Sequence, residues 1–240
     1  MIKPLVVITG ASSGIGAATA KTFSEAGHPL LLVSRRLERM ENLKLPNSLA
    51  RSVDVLDVKS FAEAVSEAET LYGPVDLLVN NAGYMNLEHT AQQSPQEWQK
   101  QFEVNCIGLL NCTSVIFPEM IKRKSGTIVN IGSTAGRNIY ENHTAYNGTK
   151  YAVKAMSESL RREASPHNVR VIMVSPGLVD SELTNGTSNT QILEAREIYR
   201  ESIGGALQGD DIARGILFAY QQPQNLCVWE LVMAPTKQLS

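Results

Sequence analysis

Short runs of unbroken apolar residues alternate along the chain with longer stretches that turn apolar every third or fourth position. Leu5-Val6-Val7-Ile8-Thr9 and Leu30-Leu31-Leu32-Val33 predict buried strands, as do residues 50–55, 75–79, 127–131, 169–174 and 226–232. Helical periodicity covers 14–26, 60–72, 145–164 and 210–221, with a short helix at 36–43. A further helix runs from Ser94 to about Lys122, with room for a break. Ser94 is its N-cap, Pro95 fits its first turn, and Glu97 sits near its positive end. Gly73-Pro74 is a stop signal for the helix before it. Strands that are apolar at nearly every position are buried on both faces, as in parallel sheets. The alternation therefore predicts an α/β fold: a doubly wound, mostly parallel, seven-stranded sheet with helices on both faces. Residues 178–207 break the beat. They are polar through Thr184-Asn185-Gly186-Thr187-Ser188-Asn189 and then amphipathic over 191–200. A connection this long is expected to act as a lid over a substrate.

Composition narrows the class. With 240 residues, 43% hydrophobic and 19% charged, the chain is expected to form one domain, 1–240, without metal or disulfide staples. A net charge of −2 without a basic stripe argues against nucleic acid as a partner. The three cysteines, Cys106, Cys112 and Cys227, fit neither a zinc nor a redox spacing, and Cys106 and Cys112 read as core thiols. No basic region followed by an apolar run opens the chain, and no unbroken run of about 18 apolar residues is found. The expectation is a cytoplasmic protein that does not engage a membrane.

Thr9-Gly10-Ala11-Ser12-Ser13-Gly14-Ile15-Gly16 lies between the first strand and the first helix. Glycines at such a turn let the backbone bend sharply and approach a pyrophosphate at the positive helix end. Its place at the opening of a strand–helix–strand unit favours that role over a loop that merely needs glycine. Asn80-Asn81-Ala82-Gly83 follows the fourth strand, and Asn105 sits in Val104-Asn105-Cys106-Ile107-Gly108. Ser133 ends the fifth strand; Tyr146 and Lys150 follow it by thirteen and seventeen residues. Ser175-Pro176-Gly177 closes the sixth. In this order, through almost the whole chain, these motifs resemble the short-chain dehydrogenase/reductase family. The resemblance implies a single-domain Rossmann fold, a nicotinamide cofactor, and catalytic Asn105, Ser133, Tyr146 and Lys150. It implies cofactor contacts from Gly10, Ser12, Ser13, Gly14, Ile15 and Gly16, from Asn81, Ala82 and Gly83, from Tyr146 and Lys150, and from Pro176 and Gly177. The family's Pro-Gly-x-Val-x-Thr reads here as Pro176-Gly177-Leu178-Val179-Asp180-Ser181. Serine keeps the hydroxyl, so Val179 and Ser181 are also expected at the nicotinamide.

The second strand bears on the choice of cofactor. An acid at its end would bond the ribose 2′-hydroxyl of NAD. The residues there are Ser34-Arg35-Arg36, and two guanidinium groups suit a 2′-phosphate. NADP(H) is therefore favoured, against the reading in which both arginines open the next helix as solvated charges. Asp54-Val55 resembles the pair that contacts adenine, although Asp54 could instead cap a turn, and Asp57 competes nearby.

Tyr146 and Lys150, four apart, share a helix face. A free phenol has a pKa of about 10. A nearby ammonium and the helix N-terminus are expected to favour the phenolate. Tyr146 would then act as general acid toward a carbonyl or base toward an alcohol, with Ser133 on the same oxygen. By resemblance, Lys150 also binds the nicotinamide ribose, and Asn105 positions a water that links Lys150 to solvent.

The substrate is expected beside Ser133, Tyr140 and Tyr146, near Thr134, Asn142, His143, Met85 and Leu178. His143 reads as an exposed loop residue. Arg137, Arg196 and Arg200 are each candidates for a substrate carboxylate, yet each is expected to do no more than face water. Ile192, Leu193, Ala195 and Ile198 would form the closing face of the lid. The Gly-Ser-Thr-Ala-Gly run at 132–136 and the chain's ending resemble NADP-dependent serine and 3-hydroxy acid dehydrogenases, which implies a small 3-hydroxy acid. The alternatives are a carbonyl reductase of broad specificity for ketones or 3-oxoacyl compounds, an epimerase or dehydratase, and a non-catalytic NADP sensor. An epimerase normally adds a C-terminal domain for which few residues remain, and a sensor would have lost part of the Ser–Tyr–Lys set. By resemblance the chain forms a homodimer or homotetramer through the helices near 95–122 and 145–165 and the last strand.

Overall fold

Neighbouring residues of the first strand serve two separate cores. In β1 (Leu5–Thr9), Leu5 and Val7 pack with Phe61, Cys112 and Met120, whereas Val6 and Ile8 pack with Phe23, Ile212 and Ile216. The two-residue period of a strand sends them to opposite faces, and both faces are covered. That is why the strand is apolar throughout. Each such side chain removed from water contributes about 1.5–3 kcal/mol.

The structure is a computed structural model that describes residues 3–239. Met1 and Ile2, which begin the stretch read for a targeting signal, and Ser240 lie outside the described residues. After β1 come α1 (Gly14–Glu25), β2 (Leu30–Ser34), α2 (Leu37–Glu41), β3 (Ser48–Ser52), α3 (Val58–Tyr72) and β4 (Val75–Asn80). The second half holds α4 (Pro95–Phe102), α5 (Gly108–Arg123), β5 (Thr127–Ile131), α6 (Thr144–Ala164) and β6 (Arg170–Pro176). It closes with α7 (Thr190–Ser202), α8 (Gly209–Tyr220) and β7 (Glu230–Met233). The strands form one seven-stranded sheet in the order β3-β2-β1-β4-β5-β6-β7, with every pairing parallel. This is the Rossmann-like, doubly wound α/β architecture, with α3 and α5 on one face and α1 and α8 on the other. The chain leaves β1 toward β2 on one side and returns to β4 on the other. That reversal opens a crevice at the carboxyl ends of the strands.

Several boundaries differ from the sequence expectation. β3 is Ser48–Ser52 rather than 50–55, because Val53 and Val55 leave the ladder and bury themselves in the α3–α5 core. β7 is confined to Glu230–Met233; Leu226 and Trp229 ahead of it are exposed. The long helix is divided by a π-helical turn, Glu103–Ile107, that packs Gly108 closely on Val55, where a Cβ would come within 2.5 Å of a valine methyl. Within Pro95–Arg123 an 18-residue stretch reaches a mean hydropathy of 1.4, enough by length and composition alone to cross a membrane. Yet its inner face, with Cys112 and Met120 fully buried, belongs to the core. In α7, Ile192 is buried but Ile198 is 69% exposed, so the apolar closing face is narrower than expected.

Candidate active site

The turns after β1 to β6 all open onto one cavity of about 650 Å³. Gly10 bends the first turn at φ +66° and Gly14 continues it at φ +50°. A Cβ on Gly10 would lie 2.8 Å from the Ala82 Cα. Gly16 does not reach the cavity; a Cβ there would strike the Gly10 carbonyl oxygen at 2.3 Å, so its role is to let α1 pack under the turn. The Asn81 Nδ2 braces the same turn by donating to the carbonyls of Thr9 (2.8 Å) and Gly10 (3.2 Å). No side chain caps the N-terminus of α1 and no acid lies in its first turn. Its N–H groups and positive dipole end remain available to an anion, which fits a dinucleotide pyrophosphate.

Ser12 and Ser13 line the cavity, and both hydroxyls accept hydrogen bonds from Arg36, at 2.9 Å and 2.8 Å from Nη2. Arg36 is further committed to Glu182 at 2.7 Å, and Arg39, which sequence reasoning missed, binds the same carboxylate at 2.6 Å. Arg39 and Arg36 together hold Glu182 below the usual carboxylate range. Arg35 projects into solvent, 3.9 Å from Asp54. Asp54 and Val55 line the cavity, whereas Asp57 caps α3 by accepting from the Ser60 N–H at 3.0 Å. Ile15, Ala82, Gly83, Pro176, Gly177, Val179 and Ser181 also line it, and the Ser181 hydroxyl starts the helical turn Glu182–Gly186.

At the other end of the cavity stand Ser133, Tyr146 and Lys150. Ser133 follows β5 by two residues and caps the short turn Thr134–Gly136; Tyr146 is in the first turn of α6. Burial pushes the Tyr146 phenol up to about 12, and the Ser133 hydroxyl beside it and the charge of Arg196 pull the other way. This differs from the expectation of a favoured phenolate: the charge that acts on Tyr146 is that of Arg196 rather than Lys150, and desolvation outweighs it and the Ser133 bond together. Burial also brings Lys150 down to about 8. Its Nζ donates to the Ile131 carbonyl at 2.9 Å and lies 5.6 Å from the centre of the Tyr146 ring. Asn105 does not line the cavity. Its Nδ2 donates to the Tyr84 carbonyl (2.9 Å) and the Thr149 hydroxyl (3.1 Å), which fastens the π-helical turn to α6 beside Lys150.

The family model for short chain dehydrogenases matches residues 4–192. The chain belongs to the short-chain dehydrogenase family. An uncharacterised oxidoreductase of Staphylococcus saprophyticus is 37% identical over 98% of this chain and 96% of its own. Among solved structures, the closed form of a serine dehydrogenase complexed with NADP+ superposes with a TM-score of 0.91 at 30% identity, covering 98% of this chain and 96% of that one. A 3-ketoacyl-(acyl-carrier-protein) reductase from Brucella melitensis complexed with NADH gives 0.87 at 26% identity, with 98% of each chain covered. This short-chain dehydrogenase is thus similar throughout its length to oxidoreductases that bind nicotinamide cofactors.

The substrate end of this dehydrogenase differs from expectation in several side chains. His143 is half-buried, with its ring set between those of Tyr140 and Tyr146 and its Nδ1–H donating to the Glu141 carbonyl at 2.6 Å. Burial lowers its pKa, so it is neutral at pH 7. Arg137 is paired with Glu230 at 2.6 Å, outside the cavity. Arg200 is paired with Glu197 and Asp180. Arg196 is half-buried and lines the cavity instead of facing water. Met85 and Leu178 are buried in the wall, where Asn142 also lies. The Tyr140 hydroxyl donates to the Thr134 hydroxyl at 3.0 Å and receives a bond from the Gln238 Nε2 at 3.3 Å. Gln238, near the end of the chain, also accepts from the Leu178 N–H at 2.9 Å and lines the cavity. Sequence reasoning missed it, because nothing local to Gln238 signals partners 60 and 98 residues away.

Proposed function

We propose that this oxidoreductase exchanges a hydride between NADP(H) and a small carbonyl or alcohol substrate of the 3-hydroxy acid type. The observation that carries the reading is the meeting of Ser133, Tyr146 and Lys150 in the same cavity as the open N-terminus of α1. The glycine turn, Asn81 and the turn after β6 would hold the cofactor. Arg36 at the end of β2, with Arg35 and Arg39 near it and no acid in the strand's last positions, supports NADP over NAD. The NADP+ in the similar serine dehydrogenase supports the same choice.

When bound, the nicotinamide supplies or accepts the hydride. Tyr146 gives its hydroxyl proton to the substrate oxygen in reduction and recovers it in oxidation. Its raised pKa keeps the proton in place until negative charge develops on that oxygen. Ser133 donates to the same oxygen. Lys150, with a pKa of about 8, is largely charged at neutral pH and stabilises the phenolate that remains. Asn105, locked beside Thr149, orients the water that connects Lys150 to solvent. Residues 178–207 act as the lid, one domain spans 1–240, and the working form is a homodimer or homotetramer in the cytoplasm.

Tyr146→Phe tests the mechanism. Turnover of carbonyls with NADPH is expected to fall by roughly 10²–10⁴-fold while nucleotide affinity is kept. Unchanged turnover would overturn the assignment.

A further inference from the structure

One cation at the substrate end of the cavity is left unspent by the protein. Helix α7 presents Ile192, Ala195, Arg196 and Tyr199 to the cavity, as the helical repeat requires of positions three and four apart. Arg196 makes no hydrogen bond and no ion pair with any described residue. The other arginines near it are committed: Arg200 to Glu197 and Asp180, Arg36 and Arg39 to Glu182, and Arg137 to Glu230. Glu141 lies exposed at the cavity rim and forms no ion pair with it. Arg196 is half-buried, and its charge acts on both Tyr146 and His143, which places it on the side of the reacting hydroxyl. A guanidinium withdrawn from water without a partner is costly, and an arriving anion relieves that cost.

We propose that Arg196 binds a carboxylate of the substrate, so that the reacting molecule is an oxoacid or hydroxyacid whose carbonyl or hydroxyl meets Tyr146. The proposal rests on the assignment of Tyr146 as the proton donor and acceptor. A single guanidinium offers two parallel N–H donors, which match one carboxylate. A phosphate dianion would call for a second free cation, and Lys150 is already bonded to the Ile131 carbonyl. In reduction the substrate's carbonyl carbon gains a hydride from NADPH and its oxygen gains the Tyr146 proton, leaving a hydroxyacid and NADP+. The carboxylate takes no part in the electron transfer; it fixes which end of the molecule faces Tyr146.

Acid–ester pairs separate charge from the ketone. Acetoacetate with methyl acetoacetate, and pyruvate with methyl pyruvate, are reduced with NADPH by the wild type, Arg196→Gln and Arg196→Lys. In parallel, 3-hydroxybutyrate and its methyl ester are titrated calorimetrically into each protein holding NADP+. Arg196→Gln is expected to lose roughly 10–100-fold in kcat/KM and in affinity for the acids, while the esters change little and Arg196→Lys recovers part of the loss. Equal losses on acid and ester, no loss on either, or no binding of the acid by the wild type would each overturn the proposal. Binding of the acid that depends on Arg196, without reduction of any ketone, would instead overturn the proposed hydride transfer and leave the carboxylate site standing. Matching thermal unfolding of the three proteins shows that the fold is intact.

Discussion

The Glu182 carboxylate lies 2.7 Å from the Arg36 guanidinium, joining the segment after β6 to the end of β2 across the mouth of the cavity. Arg39 shares the same carboxylate, and Arg36 continues the link to Ser12 and Ser13 in the glycine turn. Arg36 is the guanidinium proposed to meet a 2′-phosphate, with Arg39 close by, so under that proposal the carboxylate and the phosphate compete for it. The side chains are between 39% and 50% exposed. Each ion pair is therefore worth only about 0–1 kcal/mol. Glu182→Gln is expected to tighten NADPH by roughly two- to five-fold and to leave NADH unchanged, as read by nucleotide fluorescence titration. A weaker NADPH complex would show instead that Glu182 holds Arg36 in position.

Arg36 should dominate the discrimination between the two nucleotides. It reaches the glycine turn, whereas the Arg35 side chain is 71% exposed and only loosely placed near Asp54. A charge-assisted hydrogen bond is worth about 1.5–3 kcal/mol. Arg36→Ala is expected to weaken NADPH roughly 10–100-fold, with a few-fold effect on NADH from the slackened turn. Arg35→Ala should cost much less. The ratio of dissociation constants decides the matter: a ratio unchanged by Arg36→Ala would refute the role in binding the 2′-phosphate.

What could be read from the chain was local. Gly10, Gly14, Tyr146 and Lys150 announce themselves because a strand end, a turn or one helical repeat fixes their spacing. The strand core was equally legible, since Leu5 to Ile8 must be apolar on both faces of a covered sheet. Contacts set by the tertiary fold were not. Arg36 meets Glu182 across 146 positions, and Gln238 meets Tyr140 across 98. Whether Arg196 faces water or the cavity depends on how α7 rolls on Ile192, which its amphipathic pattern leaves open. Val53 and Val55 extended the apparent third strand because burial in a core looks the same in sequence whether or not the ladder continues.

Lys150 gives the free protein a distinct dependence on pH. Its ordinary value is 10.5, and burial brings it to about 8 in the folded chain. Below about pH 8 both states hold the proton, and the buried ammonium destabilises the fold. Between about 8 and 10.5 the unfolded chain binds a proton that the folded chain has released, so stability rises with pH. The rise is about 1.4 kcal/mol per pH unit at most. Cys106, Cys112 and Cys227, whose thiols burial raises above their ordinary 9.0, oppose this in the same window, and Tyr146, held up to about 12, joins them once free phenols begin to ionise near 10. Urea unfolding at about pH 7.5 and 9.5 should therefore show a change in stability that is more favourable in the wild type than in Lys150→Met, since the thiols are common to both. An equal change in both proteins would place the titrating group elsewhere.

The proposed homo-oligomer would cover apolar side chains that the long helices leave exposed. Phe102, Ile107 and Leu110, between 42% and 49% exposed, follow one another along α4, the π-helical turn and α5, and Tyr151 on α6 is 40% exposed. The π-helical turn contributes here as well, because its extra residue turns Ile107 outward while Cys106 and Asn105 stay buried. At the far edge of the sheet, Trp229 just ahead of β7 and Val232 within it are also exposed, at 64% and 48%. Exposed apolar side chains that gather on helix faces and on a strand edge mark surfaces that another chain covers. Sedimentation at micromolar concentration is expected to find a dimer or tetramer. Ile107→Glu combined with Leu110→Glu should shift it to a smaller species without lowering the thermal stability of the subunit by more than about 1 kcal/mol, since neither side chain belongs to the core. A wild type that sediments only as a monomer would refute the assembly, and a double variant that keeps the original mass would move the interface to the β7 edge.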